Sequence, residues 1–338
     1  MTANAFICGS LGYVLEPSER AFFAAAQPVG FILFARNVDN PDQVLRLIEE
    51  VKDAAGRDNL LILIDQEGGR VQRMRPPHWR QYPPASAYCK AGAGDLDKAE
   101  RYTYLNARLI AHDLHELGVN TACAPVLDLP VEGADKVIGD RAYGADVETV
   151  VRLGRAFAEG LLAGHVLPVM KHIPGHGRAT ADSHFALPVI STPLDVLAET
   201  DFATFAALKS LPMAMTAHVV MTDVDADAPV TTSKSAIERV IRGMIGFDGL
   251  LMSDDLSMRA LSGSLGSRTA ASFEAGCDVA LHCNGMIAEM EEVAGNAPRL
   301  QGDALRRFDR AWDLLRLPEP FDREEAEAAL RDSLAATA

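Results

Sequence analysis

The chain has 338 residues, of which 48% are hydrophobic, 23% charged and only 6% aromatic, and its formal net charge is −15. This balance supplies a large apolar core and excludes a disordered or fibrous chain. The excess of acid, with no basic run to offset it, excludes a partner held through nucleic-acid phosphates, which need Lys and Arg.

Short apolar runs and longer stretches of helical period alternate from the N-terminus. The predicted strands are AFICGS (5–10), VGFILFA (29–35), LLILID (60–65), NTACAPVLD (120–128), LPVMKH (167–172), PMAMTAH (212–218), GLLMSD (249–254) and DVALHC (278–283). Most are apolar at consecutive positions, as parallel strands buried on both faces are. Helices are predicted at PDQVLRLIEEVKDAAG, DKAERYTYLNARLIAHDLHELG, DVETVVRLGRAFAEGLLAG and KSAIERVIRGMIG. Several stop on a glycine, and Pro41 stands at a helix start, where its missing N–H does no harm.

Eight strand-then-helix units predict one (β/α)₈ barrel spanning 1–338, with an open doubly wound sheet as the alternative. No linker divides the chain, and the acidic segment 318–338 reads as a solvated helix with a frayed end. The first residues, MTANAFICGSLG, lack the regions of a signal peptide, and no apolar run approaches the roughly 18 residues of a membrane helix. A cytoplasmic protein without a membrane partner is therefore expected. Cys8, Cys89, Cys123, Cys277 and Cys283 form no C-x-x-C pair and read as core thiols.

A barrel builds its active site where its strands end, so the polar residues closing each run are the candidates. These are Asp65, Asp128, Lys171, His172, His218, Asp254 and Asp255. IDQEGGRVQR sets Asp65, Glu67, Arg70 and Arg73 around a Gly-Gly turn but has neither phosphate-loop spacing. It suits a ligand rich in hydroxyls, or a structural ion pair at the rim. In GLLMSDDLSM adjacent residues point to opposite sides, so one of Asp254 and Asp255 faces the mouth as a candidate carboxylate nucleophile.

KHIPGHGRATADSH crowds His172, His176, Asp182 and His184 onto a breakable backbone. Zinc is one reading, although no H-E-x-x-H motif is present. In the other, Asp182 orients His184 and favours the protonated ring a general acid needs, and His176 stabilises the loop.

Taken together, IDQEGGRVQR, APVLDL, IGDRAYG, KHIPGHG, TADSH, TAHV and MSDDLSM, in this order between about 10 and 290, resemble the glycoside hydrolase family 3 β-N-acetylglucosaminidases of bacterial peptidoglycan recycling, the NagZ type. The resemblance implies a single TIM barrel with no cofactor and no metal, acting as a retaining hydrolase on terminal β-linked N-acetylglucosamine of cell-wall fragments. It implies Asp254 as nucleophile and His184 as acid/base with Asp182 as its dyad partner. Asp65, Arg73, Arg141, Lys171 and His172 are implied to hold the sugar. Ile173 stands where the family usually has Phe, and Ala35 where a hydroxyl residue is common. The expected partner is an amino-sugar or muropeptide substrate, bound by a monomer. A phosphorylase, a catalytically silent sugar-binding protein and a metal-dependent hydrolase remain as rivals.

Overall fold

A computed structural model describes residues 3–335. Eight parallel strands close into a barrel in chain order. They are β1 (Asn4–Cys8), β2 (Pro28–Leu33), β3 (Leu61–Ile64), β4 (Thr121–Ala122), β5 (Leu167–Ile173), β6 (Met213–Thr216), β7 (Leu250–Asp255) and β8 (Val279–His282). β1 pairs in parallel with β8, which closes the ring and excludes the open sheet.

The strands fall where their apolar runs predict, with one exception. The fourth run is predicted over 120–128, but its ladder with β5 pairs only Thr121 with Leu167 and Ala122 with Pro168. Pro125 has no N–H to donate, and pairing resumes at a single bridge, Val126 to Lys171.

Side chains on each strand divide with a period of two. Leu61 and Leu63 of β3 fill the barrel interior with Leu167 and Val169 of β5 and Leu250 and Met252 of β7. Ile62 and Ile64 face the surrounding helices instead. The helix Gly302–Trp312 sends Phe308 and Ala311 into the interior cluster beside Ala3 and Ala5, closing the N-terminal end. The opposite end stays open.

Helix boundaries follow local chemistry. Pro41–Ala55 starts behind Asn40, whose side chain accepts the Gln43 N–H at 3.0 Å, and stops at Gly56 with φ +62°. Leu96–His115 starts behind Asp95, and Val147–Ala163 behind Asp146, each side chain accepting N–H groups of the first turn. The predicted helix in KSAIERVIRGMIG spans Ala236–Met244 with π-type bonding.

The C-terminal helix Arg323–Ala335 departs from the expected solvated element. It lies on Leu96–His115, and Ala326 and Leu330 are buried in the core. Residues 336–338 of the expected frayed end lie outside the described residues. No helix among the described residues is long and apolar enough to cross a membrane. Four of the five cysteines are buried, Cys89 is half-buried, and none is paired.

Candidate active site

The two-residue period that packs the interior carries on to the open end. Past Leu61 and Leu63 it brings Asp65 inward, past Leu167 and Val169 it brings Lys171, and past Leu250 and Met252 it brings Asp254. A register irregularity between Lys171 and Ile173 lets His172 reach the same space. All four line one cavity of 430 Å³, a size ordinary for small-ligand pockets.

One wall is a charged cradle. Lys171 Nζ donates to Asp65 Oδ1 at 2.9 Å and meets Glu67 Oε1 at 2.7 Å. Arg73 donates to Asp65 Oδ2 at 2.8 Å, and Arg141 grips Glu67 with two bonds of 2.8 Å. Burial alone would favour the neutral forms of Asp65, Glu67 and Lys171, but opposite charge outweighs it at each. Lys171 and Arg73 hold Asp65 well below the carboxylate range, and Arg141 and Lys171 hold Glu67 at about 2. Asp65 and Glu67 raise Lys171 in turn, so it stays an ammonium.

Local geometry sets the cradle. Gln66–Gly68 and Val71–Gln72 form a small antiparallel ribbon after β3. At its turn Gly68 has φ +100° and packs so closely that an added Cβ would lie 2.2 Å from the Pro83 carbonyl oxygen. The guanidinium groups of Arg36 and Arg73 both lie over the Phe34 ring, each 5.0 Å from its centre.

The floor holds Asp254, buried at the end of β7. Its N–H donates to Thr216 Oγ at 3.3 Å, Thr216 meets Thr231 at 2.7 Å, and Thr231 meets His218 Nδ1 at 2.7 Å. His218 Nε2 lies 3.0 Å from the Asp255 carbonyl oxygen, which can only accept. The ring therefore donates from Nε2, and when it is neutral its Nδ1 accepts from Thr231. Burial opposes ionisation of Asp254, but His218, His172, the Asp255 N–H and Lys171 keep its carboxyl below the usual range. Asp255 also touches the cavity, yet Ser257 Oγ (2.6 Å) and the N–H groups of Ser257 (3.0 Å) and Cys283 (3.2 Å) occupy both its oxygens.

Buried Asp128 organises the loop after β5. Its Oδ2 lies 2.7 Å from His172 Nδ1, leaving Nε2 of that ring for a ligand, and its Oδ1 accepts the His176 N–H at 2.6 Å. The expected stabilising role of His176 thus falls to its backbone, because neither ring nitrogen has a partner.

At the rim, Asp182 Oδ1 accepts from the His184 N–H at 2.9 Å and lies 2.7 Å from its Nδ1. Partial burial works against ionisation of Asp182, but these bonds hold its carboxyl below the ordinary range. The His184 side chain is 56% exposed. Asp182, His184, Arg73 and Arg141 line the same cavity as Asp254, so all eight predicted site residues meet there. The four residues of the zinc reading all line this cavity but are not arranged around one point. Among the described residues no group of three or more His, Cys, Asp or Glu is arranged to hold a metal.

Sequence reasoning places Glu67, Asp128 and His218 near the mouth without a task. The structure makes Glu67 the hub of Arg141 and Lys171, Asp128 the hub of the histidine loop, and His218 the end of the chain under Asp254. Thr216 enters the sequence reading only as the first residue of TAHV, and Thr231 carries no signal there. The result is an ionised carboxylate on the floor, a carboxylate-held imidazole at the rim and a cradle of fixed charges between them.

Such a barrel with such a mouth belongs to the carbohydrate-cleaving class. Residues 15–307 match the glycosyl hydrolase family 3 N-terminal domain. The chain is 41% identical to a β-hexosaminidase of Methylococcus capsulatus over 279 residues, 81% of each protein. It is 36% identical to a β-hexosaminidase of Tolumonas auensis over 87% of each. Among solved structures, NagZ from Neisseria gonorrhoeae in complex with N-trifluoroacetyl-D-glucosamine superposes with a TM-score of 0.85 at 29% identity, covering 100% of this chain and 98% of that one. The chain belongs to glycosyl hydrolase family 3. Within it, this is a hexosaminidase of the NagZ type.

Proposed function

We propose that the enzyme is a retaining exo-β-N-acetylglucosaminidase that removes terminal N-acetylglucosamine from peptidoglycan fragments carrying 1,6-anhydro-N-acetylmuramic acid, with or without peptide, in the cytoplasm. The observation that carries this reading is the meeting of ionised Asp254 and the Asp182–His184 pair in one cavity. Its likeness to a NagZ bound to an N-acylated glucosamine supports the sugar, and the motif order supports the cell-wall source.

In this reading a carboxylate oxygen of Asp254 bonds to the anomeric carbon as the glycosidic bond breaks, and His184 Nε2 gives its proton to the leaving oxygen. Water then loses a proton to the same nitrogen and attacks the anomeric carbon, freeing Asp254. Asp65, Arg73, Arg141, Lys171 and His172 hold the hydroxyls and acetamido group. Because His184 stands half in solvent at the rim, its loop swings inward over bound substrate.

Aryl β-glycosides of N-acetylglucosamine, glucose and N-acetylgalactosamine, compared with and without phosphate, test the reading. The N-acetylglucosaminide is cleaved best, to the free sugar and independently of phosphate. Preference for the glucoside, or a sugar phosphate as main product, contradicts it.

A further inference from the structure

His176 sits in the cavity wall with unfinished bonding. The residue is 3% exposed, both ring nitrogens are buried without a partner, and its N–H to Asp128 fixes it in place. An unmet buried polar group calls for an explanation. Its ring centre is 5.8 Å from that of His172, and burial with that neighbour pushes its pKa down to about 4. At neutral pH it is therefore a neutral ring with one N–H to give and one lone pair to receive.

A matching gap exists across the cavity. Asp182 uses only Oδ1, which accepts both bonds from His184, and Oδ2 accepts none among the described residues. Asp182 lies within electrostatic reach of His176. Their connecting loop is tied at its ends, where the Ala179 oxygen accepts from Asp135 at 2.8 Å and the Pro188 oxygen from Val220 at 2.9 Å. Between these ties one backbone bond, Ala260 N–H to the Ser183 oxygen at 3.2 Å, holds it to the neighbouring loop. On the same turn Phe185 is 73% exposed.

We infer that His176 is a positioning residue: when the 179–188 loop folds inward, its ring N–H donates to Asp182 Oδ2 and fixes the Asp182–His184 pair above the bond to be cleaved. A buried donor without an acceptor and a carboxylate oxygen without a donor are satisfied in one step, in exchange for the Ser183–Ala260 bond. Phe185 moves toward the leaving group with them. The inference rests on Asp182 and His184 being the acid/base pair, and its test separates the two ideas.

The test compares wild type with His176→Phe, His176→Gln, Asp182→Asn and the double variant His176→Phe/Asp182→Asn. Each is assayed on an aryl N-acetylglucosaminide with a good leaving group and on one with a poor leaving group, with calorimetry of N-acetylglucosamine binding and a thermal melt. His176→Phe should lower kcat/KM on the poor leaving group about 10- to 100-fold, within the span of proton-transfer effects, and on the good one several-fold less. Sugar affinity should not change. The amide of His176→Gln should recover part of the loss, and the double variant should be no worse than Asp182→Asn. Equal losses on both leaving groups, a loss additive with that of Asp182→Asn, or a parallel fall in sugar affinity overturns the inference. An Asp182→Asn enzyme indistinguishable from wild type overturns the acid/base reading and the inference with it.

Discussion

Lys171 Nζ lies 2.7 Å from Glu67 Oε1, and both side chains are almost wholly shielded from water. Neither group tolerates loss of the other, because a buried charge without its partner costs about 3–5 kcal/mol. Glu67→Gln strands part of the charge of Lys171 and Arg141, so urea denaturation at neutral pH should show destabilisation of this order. The Glu67 carboxyl has a folded pKa of about 2 and an ordinary unfolded value near 4.3. A depressed folded value gives stability that is complete above the unfolded pKa and is lost as pH falls from about 4.3 toward 2. Wild type should therefore lose stability more steeply than Glu67→Gln across that window, and parallel curves would remove Glu67 from the network.

A second prediction concerns Asp254, whose carboxyl is held below the ordinary range of about 3.9 with His218 as the strongest lowering neighbour. In the proposed role of nucleophile Asp254 must be ionised, so activity should be lost as pH falls through its folded pKa. Brief-exposure assays should place the acidic limb of kcat/KM below the ordinary carboxylate value. His218→Phe removes the lowering influence and should move that limb upward. An unmoved limb would show that His218 does not act on Asp254.

For His184 the leaving group decides the outcome. A good aryl leaving group needs little protonation, so in His184→Ala the first bond cleavage should survive while breakdown of the intermediate lags. A burst of phenol followed by a slow steady state is expected in rapid mixing. Substrates with poor leaving groups should lose about 100-fold or more in kcat/KM. Wild-type turnover on both classes would remove His184 from proton transfer.

Much of this site is legible in the sequence because a barrel has one simple rule. Apolar runs with a period of two aim Asp65, Lys171 and Asp254 at the mouth, while the doubled acid of β7 stays open in the sequence and is told apart by the bonds that occupy both oxygens of Asp255. What escapes is whatever depends on distant pairing. Glu67 and Arg141 are 74 positions apart, and no local pattern joins them. Thr216 and Thr231 read as ordinary strand and turn residues until the fold stacks them under Asp254. The C-terminal helix shows the reverse failure. Its acidic composition suggests a solvated surface, while Ala326 and Leu330, four positions apart, mark the buried face that composition hides.

The covalent identity of the nucleophile tests the central claim most directly. A 5-fluoro N-acetylglucosaminyl fluoride keeps the 2-acetamido group and slows breakdown of the glycosyl-enzyme, so mass spectrometry of the digested protein can locate the attached sugar. The account predicts one sugar per chain, on Asp254, with no label in Asp254→Asn. Labelling of Asp255, or turnover without any covalent adduct, would contradict it.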